Sequence, residues 1–117
     1  DKNGKPIFTV NNFGKGKIFY LNFPLEDMLC GQNHAFDGEA YKIYEFVLND
    51  LLEKKNVRKL NPKVGITENG SVATVINYSN VPVNTGVYLQ NGKRIGRIFR
   101  GNPQYLEPCD GAVFQVI

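Results

Sequence analysis

The chain has 117 residues, 42% hydrophobic and 21% charged, with 12 glycines and 8 phenylalanines; this length holds one modest core, or one core with a small partner layer, and excludes a large catalytic barrel. The composition is that of a folding chain and excludes disorder and collagen-like repeats. The net charge of +3 is dispersed as Lys15/Lys17, Lys54/Lys55, Arg58/Lys59, Lys93/Arg94 and Arg97/Arg100, each interrupted by apolar or acidic neighbours, so no nucleic-acid partner is demanded.

Residues 6 to 23 hold two β-rich runs separated by Asn11-Asn12-Phe13-Gly14-Lys15-Gly16, whose Asn and Gly tolerate positive φ, and predict a β-hairpin. The second run, Lys17 to Phe23, is nearly continuous in Ile18, Phe19, Tyr20 and Leu21, the pattern of a strand covered on both faces. Pro24 to Phe36, with Met28, Cys30, Gly31 and the single histidine His34, is expected to be a partly packed loop. Ala40, Ile43, Tyr44, Val47, Leu48, Leu51 and Leu52 recur at three- and four-residue spacing and predict an amphipathic helix over residues 38 to 55. Asp37 is its candidate N-cap, and Glu39, Lys54 and Lys55 complement its dipole.

After Asn61-Pro62 the pattern turns to short β runs: Val64–Ile66, Ser71–Tyr78, Asn84–Gln90, Arg94–Phe99 and Ala112–Ile117. Asn69-Gly70 and Asn91-Gly92 predict two-residue hairpins of type I′. The expected fold class is α+β: a β-hairpin and one amphipathic helix, followed by a small antiparallel β-sandwich-like module. Residues 1–58 form the first part and 61–117 the second.

No run approaches the roughly eighteen apolar residues of a membrane span, and the basic-apolar-small pattern of a secretory signal does not open the sequence, so no membrane partner is expected. Asp1 in place of an initiating methionine, and Ile117 ending an apolar run, are expected of an excised C-terminal piece. Cys30 and Cys109 stand 79 positions apart with no second cysteine near either, which gives no metal knuckle or redox pair and leaves a disulfide between them unsupported.

Gly14-Lys15-Gly16-Lys17 could cradle phosphate only where it fed a helix N-terminus; here it feeds a strand and lacks the Walker and dinucleotide spacings, so it is a structural turn. His34 is suited to proton transfer near neutral pH, yet its acidic and thiol neighbours Glu26, Asp27, Cys30 and Asp37 form no recognised metal spacing. Glycosidases use two carboxylates across the scissile bond, for which Glu26 with Asp27, and Glu107 with Asp110, are the candidate pairs. Adjacent residues on an extended segment face opposite ways, and Pro108-Cys109-Asp110-Gly111 is a turn composition, so both pairs have a structural explanation. Cys109 as a nucleophile would need a base beside it, and the only histidine is remote in sequence. Tyr78, Tyr88, Phe99 and Tyr105 could form an aromatic strip for sugar faces, with Tyr88, Phe99 and Tyr105 the candidate carbohydrate contacts; on alternating strands such residues are more often core or cross-strand packing. Asn69-Gly70-Ser71 and Asn77-Tyr78-Ser79 match the glycosylation sequon, a pattern short enough to arise by chance.

The segment Pro6-Ile7-Phe8-Thr9-Val10-Asn11-Asn12-Phe13-Gly14-Lys15-Gly16-Lys17-Ile18-Phe19-Tyr20-Leu21 resembles one late in the trimerisation domain of family 42 β-galactosidases, a domain similar to a class I glutamine amidotransferase fold without its catalysis. In that family a closing helix and a small terminal β-sandwich follow, the order expected here. Val75-Ile76-Asn77-Tyr78-Ser79, Gly86-Val87-Tyr88-Leu89 and the final Gly111-to-Val116 run are similar in style to that terminal module. The specific part of the resemblance is about sixteen residues. It implies a non-catalytic C-terminal region of a glycoside hydrolase, with no cofactor or metal. Its implied partner is an upstream (β/α)8 catalytic domain of the same protein, whose two catalytic glutamates have no counterpart in this sequence. Self-association into a homo-oligomer is a further expectation. A carbohydrate-binding module, and a small hydrolase using His34 with Glu26, Asp27 or Cys109, are the rival readings.

Overall fold

The computed structural model describes residues 2–31 and 35–117; His34 lies outside the described residues. By its internal contacts the protein forms two compact units, residues up to Val47 and Leu48–Ile117. The α+β, β-sandwich-like class expected from the sequence is the one observed. The pattern change at Asn61-Pro62 suggested a division near residue 60, whereas residues 48–60 belong with the β-rich unit, because Val57 enters its core.

The first unit opens on an antiparallel hairpin, β1 (Phe8–Phe13) and β2 (Gly16–Leu21). Its turn is tighter than the Asn11–Gly16 segment expected. Asn11, Asn12 and Phe13 are all paired, and Gly14, at φ 57°, makes the reversal that a side chain would strain. The pairing puts Phe8, Val10, Phe19 and Leu21 on one face and Thr9, Asn11, Phe13, Ile18 and Tyr20 on the other. The expectation of a strand covered on both faces is corrected here: only Phe19 and Leu21 of β2 are half-buried.

The expected loop 24–36 contains a helix, α1 (Leu25–Gly31), whose Leu25 and Leu29 are buried one turn apart, followed by a 3₁₀ turn at Ala35–Asp37. Asp37 therefore lies in that turn instead of capping the long helix. The long helix, α2, runs over Lys42–Leu52, shorter at both ends than expected. Gly38 disfavours helix on the N-terminal side, and the first turn is closed by the Lys42 amide donating to Glu39 O at 2.9 Å. No residue of α2 is fully buried. The helices of the described residues are all too short or too polar to cross a membrane.

The second unit holds β3 (Val57–Arg58), β4 (Val64–Asn69), β5 (Val72–Asn77), β6 (Val83–Asn84), β7 (Tyr88–Leu89), β8 (Ile95–Arg100), β9 (Tyr105–Leu106) and β10 (Gly111–Val116). Strands β4, β5, β10 and β8 form an antiparallel sheet in that order, and two short ribbons pair β3 with β7 and β6 with β9. The sheet's inner face offers Ala73 and Val75 from β5 with Ala112, Phe114 and Val116 from β10; the ribbons supply Val57, Val83 and Leu106 to the same cluster. Phe114 stands opposite Ala73, a large residue against a small one, which lets the inner face fill without a void.

The alternation in β5 buries Ala73, Val75 and Asn77 and leaves Val72, Thr74 and Ile76 half-exposed. Fully buried Asn77 donates from Nδ2 to Val81 O (2.8 Å) and Glu107 O (3.0 Å), and its Oδ1 accepts from Ser79 N (2.9 Å) and Ser79 Oγ (2.7 Å). These bonds tie the end of β5 to two loops. Thr85, also fully buried, donates from Oγ1 to Pro103 O at 2.5 Å and accepts from Val87 N at 3.2 Å. That pair of bonds interrupts the expected strand 84–90, which is two short pieces, β6 and β7.

The two Asn-Gly turns differ. Asn69 pairs with Val72, which makes Gly70 and Ser71 the loop residues; of these only Gly70 has positive φ, so the turn is not type I′. Asn91 (φ 58°) and Gly92 (φ 70°) are both left-handed and are closed by Lys93 N donating to Gln90 O, the I′ arrangement. It is not a hairpin, however, since β7 pairs with β3 and β8 with β10. This turn passes the backbone from a ribbon to the sheet.

Replacing Asn77 with Ala removes the Nδ2 donor shared by the Val81 and Glu107 carbonyls and the Oδ1 acceptor of the Ser79 amide in a buried site. The variant is expected to lose about 2–3 kcal/mol in urea unfolding with an unchanged m-value.

Candidate functional site

The first unit carries a cleft of about 510 Å³ between the inner hairpin face and the helices. Phe8, Phe19 and Leu21 form its floor, Ile43 and Val47 of α2 one wall, and Pro24 to Asp27 the other. The floor is aromatic because the inner hairpin positions meet Phe46: the Phe8 and Phe19 rings stack at 6.1 Å, and Phe46 meets them edge-on at 5.7 and 6.3 Å. A neighbouring cleft of about 430 Å³ shares Phe8, Leu21, Phe23 and Ile43. On its rim the Glu39 carboxylate accepts from Lys42 Nζ at 2.5 Å. That hydrogen bond, then the charge pairing, lowers the Glu39 pKa and raises that of Lys42. Both groups are exposed, so the pair adds little to stability.

Glu26 and Asp27 lie on the rim of the larger cleft, in the first turn of α1, where carboxylates complement the helix dipole. Tyr44 Oη donates to Glu26 Oε1 at 3.4 Å. Desolvation, and then the Glu26 charge, raise the Tyr44 phenol above its ordinary pKa. An apolar cleft with two acidic groups and one phenolic group on its edge can seat apolar side chains and accept a donor at the rim.

The other candidates are dispersed. Cys30 and Cys109 are both free thiols, and Cys109 is exposed at φ 56° in a turn where its amide donates to Ser79 O. Asp110 Oδ1 accepts from Gly111 N at 2.7 Å and lies 3.6 Å from Arg100, while its amide donates to Glu107 O; Glu107 O also serves Asn77. Glu107 and Asp110 are thus brought together as parts of one turn. Among the described residues no group of three or more His, Cys, Asp or Glu side chains is gathered for a metal.

The aromatic candidates sit on separate pairings. Tyr88 is on β7 against β3, Tyr105 on β9 against β6, and Phe99 on β8 at the outer edge of the four-stranded sheet. All three are exposed. The Arg97 guanidinium carbon stands 5.6 Å from the Phe99 ring centroid, so a cation already occupies one ring face. Tyr78 lies across Gly65, where a Cβ would collide with its ring. Ring–ring contacts join Phe8, Phe19 and Phe46 instead. Asn77 of one sequon is fully buried, and Asn69 of the other is exposed beside a turn.

Phe46 joins the aromatic floor of the cleft, and Tyr44 reaches the Glu26 carboxylate at its rim. Tyr44 was visible as a stripe position, whereas Phe46 lies off the 3.6-residue stripe and gave no signal. No protein-family model, curated protein or solved structure matches this protein.

Replacing Glu26 with Gln removes both the charge and the carboxylate acceptor facing Tyr44. The Tyr44 pKa, read from phenolate absorbance, is expected to fall toward the ordinary tyrosine value. Because the folded pKa is raised above the unfolded one, the associated stabilisation is present at neutral pH and is lost as pH rises through the Tyr44 ionisation.

Proposed function

We propose that this protein is a non-catalytic structural and assembly region of a larger carbohydrate-active protein, a glycoside hydrolase of the family 42 β-galactosidase kind. In this reading the β-rich unit is a terminal cap. The hairpin and helices complete an α/β layer that is covered by further polypeptide, including the catalytic domain of the same protein.

The observation that carries the reading is the outer face of the hairpin. Phe13, Tyr20 and Ile18 lie on it, exposed at 74, 61 and 51%. Large exposed apolar patches mark surfaces that meet another protein. The segment from Pro6 to Leu21, which resembles the trimerisation-domain motif, is this same hairpin, so the motif and the bare face coincide. The carbohydrate-module reading needs one row of free aromatic faces, and Tyr88, Phe99 and Tyr105 lie on three separate strand pairings.

Sedimentation of the isolated protein over a wide concentration range is expected to show self-association through the uncovered hairpin face. The double variant Phe13→Ser with Ile18→Ser is expected to suppress it while keeping the β-unit spectrum. A wild-type protein that stays monomeric throughout, or turnover of a chromogenic galactoside by the purified protein, would refute the proposal.

A further inference from the structure

The end of α2 is held by side chains that come from far along the sequence. Gln90 Nε2 donates to the carbonyls of Leu52 (3.0 Å), Glu53 (3.0 Å) and Lys55 (2.5 Å), and Asn91 Nδ2 donates to those of Glu53 (3.5 Å) and Lys55 (3.3 Å). The Gln90 amide hydrogen is also given to Asn56 O at 3.0 Å. Leu52 is the last residue of α2, at the negative end of the helix dipole, and its carbonyl also accepts from the Lys55 amide at 3.1 Å; Glu53 and Lys55 lie in the turn that follows. Gln90 therefore caps the end of α2, and Gln90 and Asn91 together hold the turn that follows it.

One of these amides belongs to an Asn-Gly pair. Glycine has no Cβ to hinder its amide nitrogen, so the Gly92 nitrogen can approach Cγ of Asn91. Both residues are exposed, and they are the two central residues of a turn closed by the Lys93-to-Gln90 bond, which leaves their own amides outside that bond.

We propose that Asn91 is a deamidation site, and that its conversion irreversibly loosens the turn after α2, which Asn91 holds beside the Gln90 cap. The Gly92 nitrogen, losing its proton to solvent, forms a bond to Cγ of Asn91. The bond between Cγ and Nδ2 breaks and ammonia leaves, giving a succinimide. Water then opens that ring to aspartate or isoaspartate, with no change of oxidation state. The product is an acid in place of an amide. Its carboxylate cannot donate to Glu53 O and Lys55 O, and it places a negative charge against those carbonyls just past the negative end of α2. Gln90, followed by Asn91 and not by glycine, keeps its three bonds.

Asn69-Gly70 is the internal control. It has the same dipeptide at an exposed position, but its residues belong to the β4–β5 hairpin. Acid there faces no helix end.

The test incubates the whole protein at mildly alkaline pH, with a urea-unfolded sample as the clock. Asn91 and Asn69 are followed by peptide mass, and the Glu53, Lys54 and Lys55 amides by hydrogen exchange. The Asn91 peptide is expected to gain the mass of an acid over an amide. The three amides are expected to exchange roughly fivefold faster, the population change for one lost side-chain hydrogen bond. Asn91→Asp is expected to reproduce the faster exchange and a lowered Tm, and Asn69→Asp to leave those amides unchanged. An Asn91 amide still intact after the unfolded sample has converted would overturn the proposal. So would an Asn91→Asp variant with wild-type exchange at the helix end, or an Asn69→Asp variant with the same acceleration.

Discussion

The uneven distribution of buried apolar surface is the constraint on which the rest of this structure depends. Among the described residues, ten buried hydrophobics form one cluster inside Leu48–Ile117, while the first unit buries only Leu25 and Leu29. Each fully buried Val, Leu or Phe is worth about 1.5–3 kcal/mol relative to exposure, so the β-rich unit holds most of the hydrophobic stabilisation. The first unit instead keeps an aromatic trio, two open clefts and a bare hairpin face. Physically, the β-rich unit has the core of a small domain, and the hairpin-helix unit leaves most of its apolar surface exposed.

Small size forces the β-rich unit to use polar side chains as structural members. Its ribbons β3–β7 and β6–β9 are two residues long, too short for a backbone ladder to hold them. Thr85 ties the segment after β6 to Pro103 and Gln104, Asn77 joins the loops after β5 and β9, and Glu68 accepts the Asn56 amide at 3.1 Å at the start of β3. Every buried side-chain polar atom among the described residues has a partner, as a small core that cannot spare an unsatisfied group requires. The same device closes α2 through Gln90 and holds the turn after it through Asn91.

The sequence made the long elements legible because their signals are periodic or punctuated. The hairpin, the helix around Ile43 and Val47, and the strands at 64–69, 72–77, 95–100 and 111–116 all fall close to expectation. The misses share a cause, since tertiary partners decided them. Residues 25–31 become helical where Leu25 and Leu29 find burial, and Val57-Arg58 and Tyr105-Leu106 are strands only because β7 and β6 lie opposite. Asn91-Gly92 announced its turn type correctly but not its connection, since the dipeptide specifies backbone dihedrals and says nothing of which strands it joins. For the candidate site, residue type alone could suggest Glu26, Asp27, Cys109 or Asp110. What each does is set by a neighbour remote in sequence, such as Tyr44 for Glu26 and Arg100 for Asp110.

Native-state hydrogen exchange on the whole protein tests the central asymmetry most directly. The paired amides of β5 and β10 are predicted to exchange only with global unfolding. Those of the β1–β2 hairpin are predicted to exchange by local opening, at least about a hundredfold faster, as a layer with little buried apolar surface should. Equal protection of the hairpin and the β5–β10 pair would contradict the account.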